Sequence, residues 1–186
     1  MLAVLVVFSF PVLVGNDDAD EPAAGAPPGG DLGPAPQVDL STMTPREAAD
    51  RLYDRVMRAA SAGDSAEVED FLPMAIDAYD LARPLDADGY FHLSLLQGMA
   101  GRFQEALDTA ERVLEDDPDH LLNRAAAGEA ALQMGDSLTA REHYAHLLEV
   151  FDRELDEGRP EYEEHSPMIP QMREDAEELV GASGDS

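Results

Sequence analysis

The chain has 186 residues, enough for one domain with terminal extensions, and its 12 basic residues against 40 acidic ones give a formal net charge of −28. All 12 basic residues are arginine. This balance argues against nucleic acid and anionic lipid headgroups as partners, because both are bound by basic surfaces. The absence of cysteine from the sequence excludes disulfides, thiolate chemistry and zinc–thiolate sites.

The acidity of the chain has two interpretations. Solubility, together with a genomic bias against lysine codons, explains it without a special function. Alternatively, the chain is adapted to high salt, where ions screen the repulsion between like charges. A melting temperature that does not rise between low and molar salt would contradict the second interpretation.

The first segment, residues 1–15, reads "MLAVLVVFSFPVLVG" and is almost entirely apolar. It is shorter than the roughly 20 residues of a membrane-spanning helix and matches the apolar region of a secretory signal. No basic residue precedes it, and a longer native N-terminus would make it a signal anchor. A buried β-strand is the structural alternative. We predict a signal or short membrane anchor, with the folded domain outside the cytoplasm as in a bacterial envelope protein.

Residues 16–43 are rich in Gly, Pro, Ala and Asp and show no apolar period. Such a segment cannot bury enough surface to offset the entropy lost on ordering. We predict a disordered linker that tethers the N-terminal segment to a folded domain.

From residue 44 onward the apolar residues follow the period of helices. Thr44, Pro45 and Glu47 match the N-cap, the first helical position and the third position of a capping box. A second helix follows a break at Gly63, and Pro73 within it predicts a kink. Helices separated alternately by a Gly-containing break and an acidic turn then continue, which predicts antiparallel helix pairs.

The later pairs repeat at a fixed step. The phrase "GRFQEALDTAERVLE" at 101–115 overlays "GDSLTAREHYAHLLE" at 135–149 without a gap, so that Gly101 takes the same place as Gly135. A step of this length, about 34 residues, is typical of helical solenoids. In such proteins each hairpin buries its apolar face against the next hairpin.

At these positions the chain resembles the tetratricopeptide repeat (TPR) family, whose pattern runs from an aromatic residue through Leu-Gly, Tyr and Ala to a closing Pro. In residues 87–120, Tyr90, Leu93, Ala106 and Pro118 match this pattern. Residues 121–154 match at Ala140 and Tyr144. The positions that depart from the family pattern are Gln97, Arg124, Ala131 and Asp152.

The resemblance implies an all-α fold in which antiparallel helix hairpins stack as a short right-handed solenoid. We expect about three TPR-like pairs over residues 44–182, followed by a flexible tail at 183–186. The first pair, 44–82, is degenerate, because its turn glycine, Gly63, lies further from Gly101 than Gly101 lies from Gly135. An amphipathic segment from Met168 to Leu179 is expected to cap the last repeat. Other helical-hairpin arrays are the alternative architecture.

Two motifs suggest metal binding and fail on inspection. His143 and His146 are one helical turn apart, but they do not form H-E-x-x-H and no third histidine is near in sequence. The stretch Asp86-x-Asp88-Gly89 matches the middle of a calcium loop but lacks both end ligands. We interpret the histidines as an exposed helix face and the second stretch as a turn in which Gly89 supplies an unusual dihedral.

No nucleophile–base pair or phosphate-binding glycine loop occurs at a recognisable spacing. We therefore predict that the protein is not an enzyme, has no cofactor and no metal, and shows no evident small-molecule substrate. Because of the charge we expect no nucleic-acid partner, and we expect contact with a membrane only through the N-terminal segment.

The resemblance also implies that the first helix of each pair lines a concave face that binds a peptide or protein. That face would be apolar, Met-containing and acidic at its rim, which suits a partner with apolar and basic segments. The predicted partner-binding residues are Asp50, Tyr53, Met57, Phe91, Leu95, Met99, Leu122, Glu129 and Gln133. Core packing between hairpins is the alternative role for Tyr53, Phe91 and Leu95, because helical spacing looks the same in both cases.

We expect an exported or membrane-tethered, non-enzymatic adaptor. One alternative is a structural module that associates with itself through its repeat ends, since the oligomeric state is open, and an enzyme or metal protein is a third. The C-terminal stretch "SPMIPQM" at 166–172 could also fill the concave face itself.

Overall fold

The computed structural model describes residues 43–181, which form eight helices and no strand. The predicted signal or anchor at 1–15, the linker at 16–43 except Met43, and the tail at 183–186 lie outside the described residues. The helices are α1 (Pro45–Ala62), α2 (Ser65–Leu81), α3 (Ala87–Met99), α4 (Phe103–Leu114), α5 (Leu121–Gln133), α6 (Ser137–Asp156), α7 (Pro160–Glu164) and α8 (Ile169–Gly181). None of the helices within 43–181 is long and apolar enough to cross a bilayer.

The start of α1 is fixed by the capping box predicted from the sequence. The Thr44 hydroxyl accepts a hydrogen bond from the Glu47 N–H at 3.2 Å, and the Glu47 carboxylate accepts one from the Thr44 N–H at 2.7 Å. Two otherwise unpaired N–H groups at the helix start are thereby satisfied. Later in the same hairpin, α2 continues as a helix through Pro73.

One glycine closes the first helix of each of the three pairs. Gly63, Gly101 and Gly135 all have φ between 72° and 79°, a left-handed conformation that residues with a Cβ rarely adopt. In each pair the residue after the glycine donates its N–H to a carbonyl five residues earlier, at 2.8–3.0 Å. This is the Schellman closure of a helix C-terminus. The first hairpin therefore shares its turn geometry with the other two, although its spacing along the chain is longer.

Gly89 is not the turn glycine that the sequence suggested. It lies in the first turn of α3, has no positive φ, and donates its N–H to the Asp86 carboxylate at 2.8 Å. A Cβ at this position would lie 2.1 Å from Nη1 of Arg46. A side chain here would displace the guanidinium of Arg46, which passes from α1 over the start of α3.

The helices stack as three antiparallel pairs, α1–α2, α3–α4 and α5–α6, with α3 packed between the first and third pairs. Two apolar clusters form the core. One contains residues of α1, α2 and α3, and the other contains residues of every helix from α3 through α8. Leu95 packs against both clusters. The expected all-α architecture of stacked helix hairpins is confirmed.

The C-terminal segment closes the last pair as expected. Ile169, Met172 and Ala176 of α8 are buried against α6 and α5, while the opposite face of α8 is exposed and charged. The short helix α7 was not predicted. Its Tyr162 is buried, and the Tyr162 hydroxyl accepts a hydrogen bond from the N–H of Leu121 at 3.0 Å.

Candidate functional site

A cavity of about 310 Å³ opens on the face formed by the first helices of the three pairs. This volume is at the lower end of the range of ligand pockets in proteins. Helix α1 contributes Met57, α3 and α5 contribute most of the wall, and α4 contributes two residues near its start. The lining residues are Met57, Phe91, Ser94, Leu95, Gly98, Met99, Phe103, Ala106, Ala125, Ala126, Glu129, Ala130, Gln133, Met168 and Met172.

Six of the nine residues predicted to bind a partner line this cavity: Met57, Phe91, Leu95, Met99, Glu129 and Gln133. The other three, Asp50, Tyr53 and Leu122, lie outside it. Tyr53 and Leu122 are buried in the core, and Asp50 belongs to a network of ion pairs. Core packing therefore explains the helical spacing of Tyr53 and Leu122, and ion pairing explains the position of Asp50. Contact of any of the nine residues with a partner stays a prediction.

The cavity wall is mostly aliphatic and aromatic, and Met57, Met99, Met168 and Met172 give it four methionines. Methionine side chains are unbranched and polarisable, so they adapt to apolar ligands of different shape. Met99 is 40% exposed, which leaves an apolar side chain in solvent at the mouth of the cavity.

Among the described residues that line the cavity, Glu129 is the only ionisable one. Burial raises the pKa of Glu129, and the negative charge of Asp175 raises it further. The hydrogen bond from Gln133 acts in the opposite direction but is smaller than the effect of burial. That hydrogen bond joins Gln133 Nε2 to Glu129 Oε1 at 2.7 Å. The cavity therefore offers apolar contacts with a polar pair on the α5 side.

The C-terminal segment forms one side of the cavity through Met168 and Met172. The sequence indicated that residues 166–172 could fill the concave face. In the structure Met168 and Met172 of this stretch line the cavity wall. The residues before the stretch contact the first helices, since His165 meets Asp88 at the start of α3 and Tyr162 meets Leu121 at the start of α5. The cavity runs along the same helices, from Phe91 to Met99 on α3 and from Ala125 to Gln133 on α5.

A polar network lies beside the cavity, where the start of α3 meets α1. Arg46 forms ion pairs with Asp50 at 2.7 Å and with Asp88 at 2.8 Å, and a third with Asp86. The Tyr79 hydroxyl donates to Asp50 Oδ1 at 2.6 Å and lies 2.9 Å from His92 Nδ1.

His165 joins this network from the segment between α7 and α8. Its Nε2 atom is 2.9 Å from Asp88 Oδ1 and 3.1 Å from His92 Nε2. Burial would raise the pKa of Asp88, but the hydrogen bond with His165, the charges that His92 and His165 carry when protonated, and the positive charge of Arg46 outweigh it, and the pKa is lowered. Sequence inspection missed this group because its histidines are 73 residues apart.

The two histidines that the sequence singled out do not converge. His143 Nδ1 lies 3.1 Å from Arg124 Nη1, and its Nε2 lies 3.5 Å from Glu111. His146 Nε2 lies 2.6 Å from Asp119 Oδ1. Because His143 is buried, the expectation that both histidines form an exposed helix face is wrong for that residue.

No protein-family model matches the chain, and no curated protein sequence matches it. A solved structure, that of PcrH from Pseudomonas aeruginosa, is similar in fold with a TM-score of 0.51 and 16% sequence identity. The similarity covers 78% of this chain and 98% of that one. The helix pairs, their glycine closures and this similarity give the chain a TPR-like helical-repeat fold.

Proposed function

We propose that the protein is a non-enzymatic adaptor that binds an apolar segment of a protein partner in the cavity between α1, α3, α5 and the C-terminal segment. The observation that supports this most is the apolar, methionine-rich lining of that cavity. A TPR-like fold leaves the first helices of its pairs available for such contacts. The cavity volume of about 310 Å³ suits two or three apolar side chains, as presented by one face of a helix or an extended peptide.

The charge of the chain narrows the class of partner. With a net charge of −28, the surface around the cavity repels acidic segments and attracts basic ones. Electrostatic attraction of this kind raises association rates more than final affinity. The partner segment is therefore proposed to combine apolar anchors with basic flanking residues.

The proposal includes export or membrane tethering of the helical domain. It relies on the apolar residues 1–15 and on the Pro- and Gly-rich residues 16–43, whose composition fits a signal or anchor followed by a linker. In this arrangement the adaptor meets its partner outside the cytoplasm.

The test compares two exposed apolar residues, one inside the cavity and one outside it. Met99 lines the cavity mouth and is 40% exposed, whereas Leu138 lies on α6 away from it and is 70% exposed. Full-length wild-type, Met99→Asp and Leu138→Asp proteins are used to enrich partners from the cells that produce the protein. We expect Met99→Asp to lose the partner that wild type and Leu138→Asp retain, because a carboxylate placed among apolar contacts costs binding energy.

Equal melting temperatures of the two variants would show that the loss is not a folding effect. If Met99→Asp retained the same partners as wild type, the cavity would not be the binding site. Capture of only the chain itself would favour the self-associating module instead.

A further inference from the structure

Asp88, His92 and His165 form a compact group of three potential metal ligands. Asp88 and His92 are one turn apart on α3, and His165 reaches them from beyond α7. The distances are 3.1 Å between the two Nε2 atoms, 2.9 Å from His165 Nε2 to Asp88 Oδ1, and 3.5 Å from His92 Nε2 to the same oxygen. Two ligand atoms from α3 and one from the residues after α7 therefore lie in contact with one another.

These distances match one face of a tetrahedral zinc site. With metal–ligand bonds of about 2.0–2.1 Å, the ligand atoms of such a site lie about 3.3 Å apart. The three edges measured here are 2.9, 3.1 and 3.5 Å, which bracket that value.

Hydrogen bonding between neutral histidines satisfies this triangle poorly. The Tyr79 hydroxyl gives its one proton to Asp50, so the hydrogen at 2.9 Å between Tyr79 and His92 belongs to His92 Nδ1. A neutral His92 then presents a bare Nε2 lone pair to the triangle. A single hydrogen on His165 Nε2 must serve both His92 and Asp88, whereas a cation would be bound by all three lone pairs at once.

The surrounding residues orient the three ligands. Metal-binding histidines usually donate their other ring N–H to a nearby acceptor, as His92 Nδ1 does to Tyr79. The Tyr53 ring stacks on the His92 ring with centroids 3.8 Å apart, which fixes its plane. Arg46 Nη2 binds Asp88 Oδ2 at 2.8 Å and leaves Oδ1 directed to the histidines.

We propose that Asp88 Oδ1 and the Nε2 atoms of His92 and His165 bind Zn²⁺, which fastens the C-terminal segment to α3. Two imidazole nitrogens and one carboxylate oxygen suit zinc and related transition metals, whereas Mg²⁺ and Ca²⁺ require oxygen ligands. The side chains of Asp88 and His165 are 17% and 11% exposed, so a water molecule can reach a fourth coordination position.

Bound metal would also set the position of one cavity wall. His165 precedes Met168 by three residues, and Met168 and Met172 line the cavity. A metal bond at His165 anchors the segment that bears these methionines. The metal site itself does not depend on the proposed adaptor function, because it is defined by its own three ligands.

The test is isothermal titration calorimetry of chelator-treated, full-length protein with ZnCl₂. An excess of Mg²⁺ is present throughout to occupy weak carboxylate sites, which a chain with a net charge of −28 offers in number. Wild type should bind one Zn²⁺ per chain with a Kd in the micromolar range or tighter. His165→Gln should lower that affinity by about 100-fold, since it removes one of three ligands.

His146→Gln is the matched control, because His146 pairs with Asp119 outside the group. It should bind Zn²⁺ as wild type does. Zn²⁺ should raise the melting temperature of wild type and of the control but not of His165→Gln. Replacement of Zn²⁺ by Co²⁺ should give the strong visible absorption of a tetrahedral site. Absence of stoichiometric binding to wild type, or equal binding by His165→Gln, would overturn the proposal.

Discussion

At the scale of single residues, the buried histidines show how neighbours decide chemical behaviour. His143 is buried on α6 between Arg124 and Glu111, with its Nδ1 atom 3.1 Å from the Arg124 guanidinium. Burial, together with the positive charge of Arg124 and the proximity of His146, lowers the pKa of His143 to about 4. The native state therefore holds this imidazole neutral over the range where an unfolded histidine takes up a proton.

This depressed pKa predicts a loss of stability in acid that depends on His143. Between pH 6.5 and about 4 the unfolded chain binds a proton at this position that the native chain does not bind, so the free energy of unfolding falls as the pH is lowered. We expect His143 to account for a loss of about 1–2 kcal/mol between pH 7.5 and 4.5, after allowance for solvent screening.

The measurement is urea unfolding of wild type and His143→Gln at both pH values. Glutamine keeps an acceptor for Arg124 but cannot titrate, and the carboxylates contribute almost equally in the two proteins. When the pH is lowered from 7.5 to 4.5, the free energy of unfolding should fall by about 1–2 kcal/mol more in wild type than in His143→Gln. An identical pH dependence would contradict the assigned state of His143.

Contacts between distant residues could not be predicted from the sequence. His92 and His165 are ordinary isolated histidines in the chain, and only the path of α7 and the following turn brings them together. In the sequence Asp86 and Asp88 match the middle of a calcium loop, whereas in the structure both form ion pairs with Arg46 on another helix. Spacing along the sequence shows which residues are neighbours within one helix. It does not show which residues a later part of the chain brings next to that helix.

At the scale of elements, the two later pairs compensate in size at equivalent positions. In α5 and α6, Gly128 faces the Tyr144 ring, and a Cβ at residue 128 would lie 3.0 Å from that ring. The equivalent positions of the preceding pair hold Ser94 and Ala110, so the larger residue at the first position goes with the smaller residue at the second. We interpret this as a matched exchange of side-chain size between the two hairpins.

Two helical glycines should respond to alanine in opposite directions. Gly128→Ala forces the Tyr144 ring to move and should lower the free energy of unfolding by about 1–2 kcal/mol, despite the better helix propensity of alanine. Gly98 lies in α3, and no atom comes within 4 Å of the place that a Cβ would take, so Gly98→Ala should raise stability by up to about 1 kcal/mol. Urea denaturation of the three proteins measures both effects. Equal stability of Gly128→Ala and wild type would contradict the packing described for this pair.

Helix positions were largely predictable, because caps and turn glycines are local signals. Thr44, Glu47 and Gly63 bound α1 as the sequence indicated, and Gly101 and Gly135 do the same for the later pairs. Gly89 was misread because a glycine after two aspartates also fits the first turn of a helix. Helix α7 has only five residues, too few for a periodic pattern.

At the scale of the whole molecule, the path of the C-terminal segment determines which part of the concave face remains open. The residues that precede α8 contact the N-terminal ends of α3 and α5, where His165 meets Asp88 and Tyr162 meets Leu121. The cavity lies along the same helices, from Phe91 to Met99 and from Ala125 to Gln133. Helical periodicity predicts which face the first helices present. It does not predict where the C-terminal segment lies on that face.

The central claim is that this open part of the concave face binds a protein partner. The most direct measurement is photo-crosslinking in the cells that produce the protein, with a diazirine side chain at Met99 and a control probe at Glu111, which is exposed on α4 outside the cavity. We expect a discrete adduct with one partner from Met99 and none from Glu111. No adduct from the Met99 probe, or only an internal link to the C-terminal segment, would show that this face does not bind a partner.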